Sequence, residues 1–134
     1  ECEMVICDKH RKRANEIASM VVIGDVTNRD VVLIDDICDT GGTLVKSAAL
    51  MKENGASSVR ALCTHPVLSG NAYKNIENSV LEGLVVCGTI PLRGECSKIK
   101  VVSTDELFAV TIRNAFENKS INSLFMRSRM ANKK

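Results

Sequence analysis

Val31-Val32-Leu33-Ile34-Asp35-Asp36-Ile37-Cys38-Asp39-Thr40-Gly41-Gly42-Thr43 decides the fold. Four apolar residues in a row mark a strand buried on both faces, as in a parallel sheet. That strand delivers two carboxylates to its carboxyl end. A loop with two glycines then opens a helix. Gly41 and Gly42 allow backbone angles and close approaches closed to other residues. Successive N–H groups can then point into one concavity, a nest for an anion. A helix starting near Thr43 adds its free N–H groups and positive dipole end, and Thr40 and Thr43 add hydroxyl donors. The combination suits a phosphate monoester. Asp35 and Asp36 repel phosphate and suit hydroxyl donors, or a Mg²⁺ shared with a sugar. The Gly-Lys-Ser/Thr element of a Walker A loop is missing. An acidic turn before a helix N-cap is the plain alternative, and the complete strand–carboxylates–loop–helix unit argues against it.

Outward from this unit, strands and helices alternate. Met4–Cys7 and Met20–Gly24 are short apolar strands, and Asp8–Asn15 between them is charged. Asp25–Asp30 is a polar turn. Leu44, Ala48 and Met51, with Val45 and Ala49, give helical spacing over Thr43–Asn54, stopped by Gly55. Val59–Thr64 and Leu84–Cys87 read as buried strands, and Lys100–Ser103 as a weaker one. Asn71–Asn78 reads as a short helix with Ala72 and Ile76 on one face. Ser103 and Glu106 fit a capping box. A helix then runs to about Asn118, with Phe108, Ile112 and Ala115 inward. The basic tail after Phe125 is expected to fray. The alternation implies an α/β fold with a parallel sheet, and ligands in such sheets bind beyond the carboxyl ends of strands, here after Ile34 and Thr64.

The chain has 134 residues, 45% hydrophobic and 25% charged, enough for one domain with a core of its own. A net charge of +2 gives no reason to expect a nucleic-acid partner, and no apolar run has the length of a membrane span. Six cysteines, none in a CxxC pair, read as reduced, buried side chains, which fits a reducing cytoplasm. Glu1-Cys2-Glu3-Met4 reads as the middle of a strand, so the chain is expected to be a piece of a longer protein.

The acidic Thr-Gly-Gly-Thr loop resembles the phosphoribosyl-pyrophosphate loop of the phosphoribosyltransferase fold. Its flanks narrow the resemblance. Asp8-Lys9-x-Arg11, Gly24-Asp25-Val26, Thr64-His65-Pro66-Val67-Leu68-Ser69-Gly70, Asn78-Ser79, Thr89-Ile90-Pro91 and Ser120-Ile121-x-x-Leu124-Phe125 resemble ribose-phosphate pyrophosphokinases of class I, in the same order. The resemblance reaches to about Phe125. It implies a single phosphoribosyltransferase-like (Rossmann-like) domain over 1–134, the carboxy-terminal domain of a two-domain enzyme, with a mobile catalytic loop.

It further implies transfer of diphosphate from MgATP to the 1-hydroxyl of ribose 5-phosphate, giving phosphoribosyl pyrophosphate and AMP. Mg²⁺ is the implied cofactor and ATP the co-substrate. Lys9 and Arg11 occupy the catalytic positions, over the reacting phosphates. Asp35, Asp36, Asp39, Thr40, Gly41, Gly42 and Thr43 are the implied ribose-5-phosphate contacts. Ser120 and Phe125 fall in a region resembling a nucleotide-regulatory and subunit-contact segment, and homo-oligomers, dimers assembled into hexamers, are implied. His65 reads as structural before Pro66, in a segment that shapes the floor of the family's site, and no proton-transfer role is assigned to it. The amino-terminal half of the family's chain, with the adenine pocket, is absent, so the isolated chain is expected to bind ribose 5-phosphate or phosphate without turnover. Rival readings are a non-catalytic synthetase-associated regulatory subunit, a phosphoribosyltransferase and a plain ligand-binding module. The intact Asp8-Lys9-x-Arg11 and Asp39–Thr43 signatures argue against the first, and Thr64–Gly70 against the second.

Overall fold

The computed structural model describes residues 3–13 and 16–124; for residues 8–13 and 16–19 the description is of the backbone. The chain divides into two compact units, Glu1–Val102 and Ser103–Lys134.

In the first unit, β1 (Ile6–Arg13) and β2 (Glu16–Ile23) form an antiparallel pair. β3 (Asp30–Cys38), β4 (Ser58–Pro66), β5 (Gly83–Cys87) and β6 (Ile99–Val102) form a four-stranded sheet in the order β3-β4-β5-β6. Every pairing in that sheet is parallel, as the alternation of strands and helices requires. The crossovers carry α1 (Gly42–Glu53) between β3 and β4, and α2 (Ala72–Glu77) between β4 and β5.

The core lies between α1, α2 and one face of the sheet. Leu44, Ala48 and Met51 of α1 meet Ala72 and Ile76 of α2, Val59, Ala61 and Cys63 of β4, and Leu84 and Val86 of β5. The helical spacing of these apolar residues thus marks the buried face. Met51, Ile76, Leu81 and Leu84 are fully buried, each stabilising by about 1.5–3 kcal/mol relative to exposure. α1 ends in a Schellman arrangement. Ala56 N–H donates to Met51 O at 3.1 Å and Gly55 N–H to Lys52 O at 3.0 Å, with Gly55 at φ +90°. Lys52 Nζ closes the turn on Ala56 O and Ser57 O, each at 3.0 Å.

Four local expectations are corrected. Val31–Ile34 is covered on one face only: Val32 is 52% and Ile34 81% exposed, while Val31 and Leu33 pack against the core. A continuous apolar run does not say which faces a chain covers by itself. The charged segment expected as a catalytic loop is strand, with Asp8–Arg13 inside β1 and paired to β2. In the second unit, α3 (Asp105–Phe116) starts after Thr104 with no side-chain cap bond. Ser103 Oγ instead accepts from Asp105 N–H at 3.2 Å, in place of the expected capping box. Phe108 and Ile112, expected inward, are 53% and 66% exposed, and Ala115 is exposed as well.

Candidate functional site

The site is built where β3 hands over to α1. Gly41 is the N-cap of α1, with φ +72° and ψ −7°. An Asn, Asp, Ser or Thr at that position would bond its own side chain to the first helical amides. A glycine leaves them open, and α1 has no side-chain cap bond. Among the described residues, no hydrogen bond is donated by the backbone N–H of Thr40, Gly42, Thr43 or Leu44. The hydroxyls of Thr40 and Thr43 have no protein partner among them either. The first intrahelical bond runs from Val45 N–H to Gly41 O at 3.0 Å. Four open amides and two open hydroxyls therefore gather at the positive end of a twelve-residue helix. The Gly41 N–H acts instead on the Cys38 thiol, lowering its pKa against the larger effect of burial.

The cradle is held from three sides. Leu68 N–H donates to Cys38 O at 3.0 Å and Ser69 N–H to Asp39 O at 2.9 Å. Ser69 Oγ also donates to the Asp39 carboxylate. Asn75 Nδ2, on α2, donates to Thr40 O at 3.2 Å. A Cβ on Gly41 would stand 3.5 Å from Ile76 of α2, so the second helix backs the turn. Asp39 thus spends its carboxylate on Ser69 and acts as a brace. Ser69 and Asn75 belong to this construction although no motif in the sequence singles them out as supports. The signal available was the Thr64–Gly70 segment, which begins in the last residues of β4, the strand next to β3.

Asp35 and Asp36 are neighbours on a strand, so their side chains leave opposite faces of the sheet. The β3–β4 register is continuous from Asp30 to Asp35, omits Asp36 and resumes at Ile37. Asp35 Oδ1 accepts from Asp36 N–H at 3.0 Å, and Asp36 Oδ1 accepts from Ile37 N–H at 2.8 Å. No cation of the described residues pairs with either. Each therefore keeps acceptor capacity for a ligand hydroxyl. Among the described residues, no cluster of three or more His, Cys, Asp or Glu side chains forms a metal site. Mg²⁺ typically takes one or two carboxylates plus phosphate oxygens and water, and Asp35 or Asp36 fits that sparse donor set.

Beneath the loop lie two thiols. Burial pushes Cys38 up to about 11 and raises Cys63, with neighbouring acids adding to both. Of the described cysteines, all expected buried, Cys38 and Cys63 are, whereas Cys7, Cys87 and Cys96 are only partly covered. Lys9 and Arg11 lie on β1 opposite Met20 and Ile17 of β2, with irregular register around Arg11. Ser120, in the second unit, accepts from Asn122 N–H at 3.2 Å through Oγ. Phe125 lies outside the described residues. Leu124 lines an apolar cavity of about 270 Å³ with Leu107, Phe108, Thr111 and Ile121. No helix among the described residues is long and apolar enough to cross a membrane.

A parallel α/β sheet with an uncapped helix N-terminus and acidic side chains at its carboxyl edge defines the class: an α/β domain whose open face lies beyond the carboxyl ends of its strands. The model of the phosphoribosyl synthetase-associated domain matches residues 6–126. The chain is 52% identical over 124 residues to a ribose-phosphate pyrophosphokinase of Campylobacter jejuni, covering 92% of the chain and 40% of that protein. It is 54% identical over 123 residues to one of Helicobacter hepaticus, with 92% and 40% covered. The solved phosphoribosylpyrophosphate synthetase of Mycobacterium smegmatis aligns with a TM-score of 0.73 at 35% identity, over 77% of this chain and 35% of that one. The chain belongs to the phosphoribosyl synthetase family, in its synthetase-associated domain. It spans about 40% of the length of the relatives it matches.

Proposed function

We propose that this chain supplies the ribose-5-phosphate site and the catalytic basic segment of a ribose-phosphate pyrophosphokinase. The longer protein transfers the diphosphoryl group of MgATP to the 1-hydroxyl of ribose 5-phosphate and releases AMP. The observation that carries the reading is the set of unbonded amides of Thr40, Gly42, Thr43 and Leu44 at the start of α1. They offer four donors to the 5-phosphate, and the Thr40 and Thr43 hydroxyls two more. Asp35 or Asp36, unpaired by cations of the described residues, accepts from the ribose hydroxyls. Asp39 contributes by bracing the loop through Ser69.

Attack by the 1-hydroxyl on the β-phosphorus builds charge on the transferring and leaving phosphates. Lys9 and Arg11 offset it, in the pattern that the resemblance implies. Mg²⁺, when bound, supplies further charge neutralisation, and Asp35 or Asp36 would contribute to holding it through the sugar. The chain is read as the carboxy-terminal domain of a cytoplasmic homo-oligomer, dimer to hexamer, whose ATP site lies in the rest of the protein. Nucleotide regulation through Ser120 and Phe125 rests on the resemblance alone.

Three measurements test the reading. Calorimetric titration of this chain with ribose 5-phosphate gives binding, and an AMP-release assay on the chain alone gives none. In the longer protein, Lys9→Ala with Arg11→Ala lowers the rate at least about 100-fold while ribose 5-phosphate still binds. Turnover by the isolated chain, or a double variant with full activity, overturns the assignment. The family's description as a synthetase-associated domain favours one second reading, a non-catalytic regulatory subunit; it requires that the double variant leave the rate unchanged.

A further inference from the structure

His65 stands at the carboxyl end of β4, opposite Ile37 of β3, at the sheet edge that carries the phosphate cradle. Its Nδ1 lies 3.0 Å from Thr89 Oγ1, and Thr89 Oγ1 lies 2.9 Å from the carbonyl oxygen of Thr64. A carbonyl oxygen only accepts, so the single Thr89 hydroxyl proton goes to Thr64 O. Thr89 can then only accept from His65, which places a proton on Nδ1. In the neutral ring Nε2 is consequently a bare lone pair. The side chain is half-buried, and no hydrogen bond of the described residues reaches Nε2. The relay also fixes the ring, because it ties β4 to the segment after β5.

A bare nitrogen lone pair repels phosphate oxygens and attracts O–H donors. The cradle, which follows the neighbouring strand β3 at the same edge of the sheet, has the opposite preference, since it consists of N–H and O–H donors. We propose that Thr89 locks His65 as the Nδ1–H tautomer, and that His65 Nε2 accepts a hydrogen bond from a hydroxyl of the sugar whose phosphate lies in the cradle. His65 is then a positioning and specificity residue that distinguishes a sugar phosphate from phosphate alone. The sugar-binding half of this inference rests on the function proposed above; the tautomer half stands on the Thr64–Thr89–His65 geometry.

Long-range ¹H–¹⁵N spectra of the histidine-labelled chain at about pH 8 read the tautomer directly. The expected pattern is protonated Nδ1 and unprotonated Nε2 in wild type, and loss of that preference in Thr89→Val. Saturating ribose 5-phosphate then moves the Nε2 resonance, and inorganic phosphate leaves it in place. In His65→Gln, phosphate affinity is kept, and ribose 5-phosphate affinity falls about 3- to 10-fold, the loss of one hydrogen bond. An Nε2–H tautomer in wild type overturns the lock. An Nε2 resonance unmoved by bound ribose 5-phosphate overturns the specificity role while leaving the cradle standing. If wild type binds neither ligand, the functional reading and the specificity role fall together, and the tautomer result is unaffected. The wild-type spectra decide the matter even if His65→Gln does not fold.

Discussion

Ser69 and Asp39 are bonded twice: the Ser69 N–H donates to the Asp39 carbonyl oxygen at 2.9 Å, and the Ser69 hydroxyl to its carboxylate. The loop after β4 thereby grips the loop after β3 at the point where the chain turns into α1. Ser69→Ala removes the side-chain half of this grip and frees an acidic group beside an anion site. Phosphate affinity is expected to fall about 5- to 10-fold, with a thermal shift of a few degrees at most. Calorimetry with phosphate checks the first value and a melting curve the second; unchanged affinity would falsify the bracing role.

Gly41 and Gly42 respond differently to alanine. Gly41 has φ +72°, and its Cβ would meet Ile76 at 3.5 Å, an ordinary contact. Gly41→Ala is therefore strained in backbone and not in space, at a cost of about 1–2 kcal/mol. Gly42 carries no such angle, and its Cβ would meet only Thr40 Oγ1, at 3.6 Å. Gly42→Ala is expected to keep the stability within about 0.5 kcal/mol. It nevertheless puts a methyl at the mouth of the cradle, so phosphate binding weakens. Denaturant melts beside phosphate titrations separate the two effects, and equal losses of stability in both variants would contradict the geometry.

Glu77 closes α2 onto the turn before β6. It accepts from Ser97 N–H at 2.8 Å and Ser97 Oγ at 2.5 Å, and hydrogen bonds from Cys96 and Ser97 hold its carboxyl below the ordinary 4.5. A folded-state value below the unfolded one adds stability above the unfolded value and loses it as pH falls through the folded one. Wild type is therefore expected to lose stability on acidification below about pH 4.5 more steeply than Glu77→Gln. Parallel denaturant titrations across acid pH test this, and identical slopes would remove Glu77 from the account.

Cys38 and Cys63 are buried and their thiols are pushed up, Cys38 to about 11. The thiolate is the reactive form, so both are expected to resist alkylation at neutral pH until the chain unfolds. Mass mapping of an iodoacetamide time course checks this. Labelling of Cys38 in the folded protein at the rate of a small-molecule thiol would show that the loop above it opens freely.

The strand from Val31, the helix spacing of Leu44, Ala48 and Met51 and the stop at Gly55 were all readable, because each depends on local periodicity or one backbone angle. The cradle was readable for the same reason, since two glycines sit where a helix begins. Its braces were not. Ser69 and Asn75 act through contacts 30 and 35 residues away from Asp39 and Thr40; the Thr64–Gly70 motif contains Ser69 without showing what it braces, and nothing around Asn75 marks it. The coverage of β3 was misjudged because an apolar run reports the tendency to be buried and not the partner that buries it. Phe108 and Ile112 were misplaced likewise, by assigning an inward face to α3 from spacing alone. The charged Asp8–Arg13 segment gave no apolar alternation, so its pairing with β2 depends on a strand signal supplied from the other side of the hairpin.

β3 is the terminal member of its sheet, and its outer face shows Val32 and Ile34 to water. A nine-residue ribbon of this kind offers a ready template to any extended peptide that comes near. Handling should therefore matter for the isolated chain: concentrated stocks would clump by strand recruitment well before the helices melt, and a lysine in place of Ile34 would keep them clear.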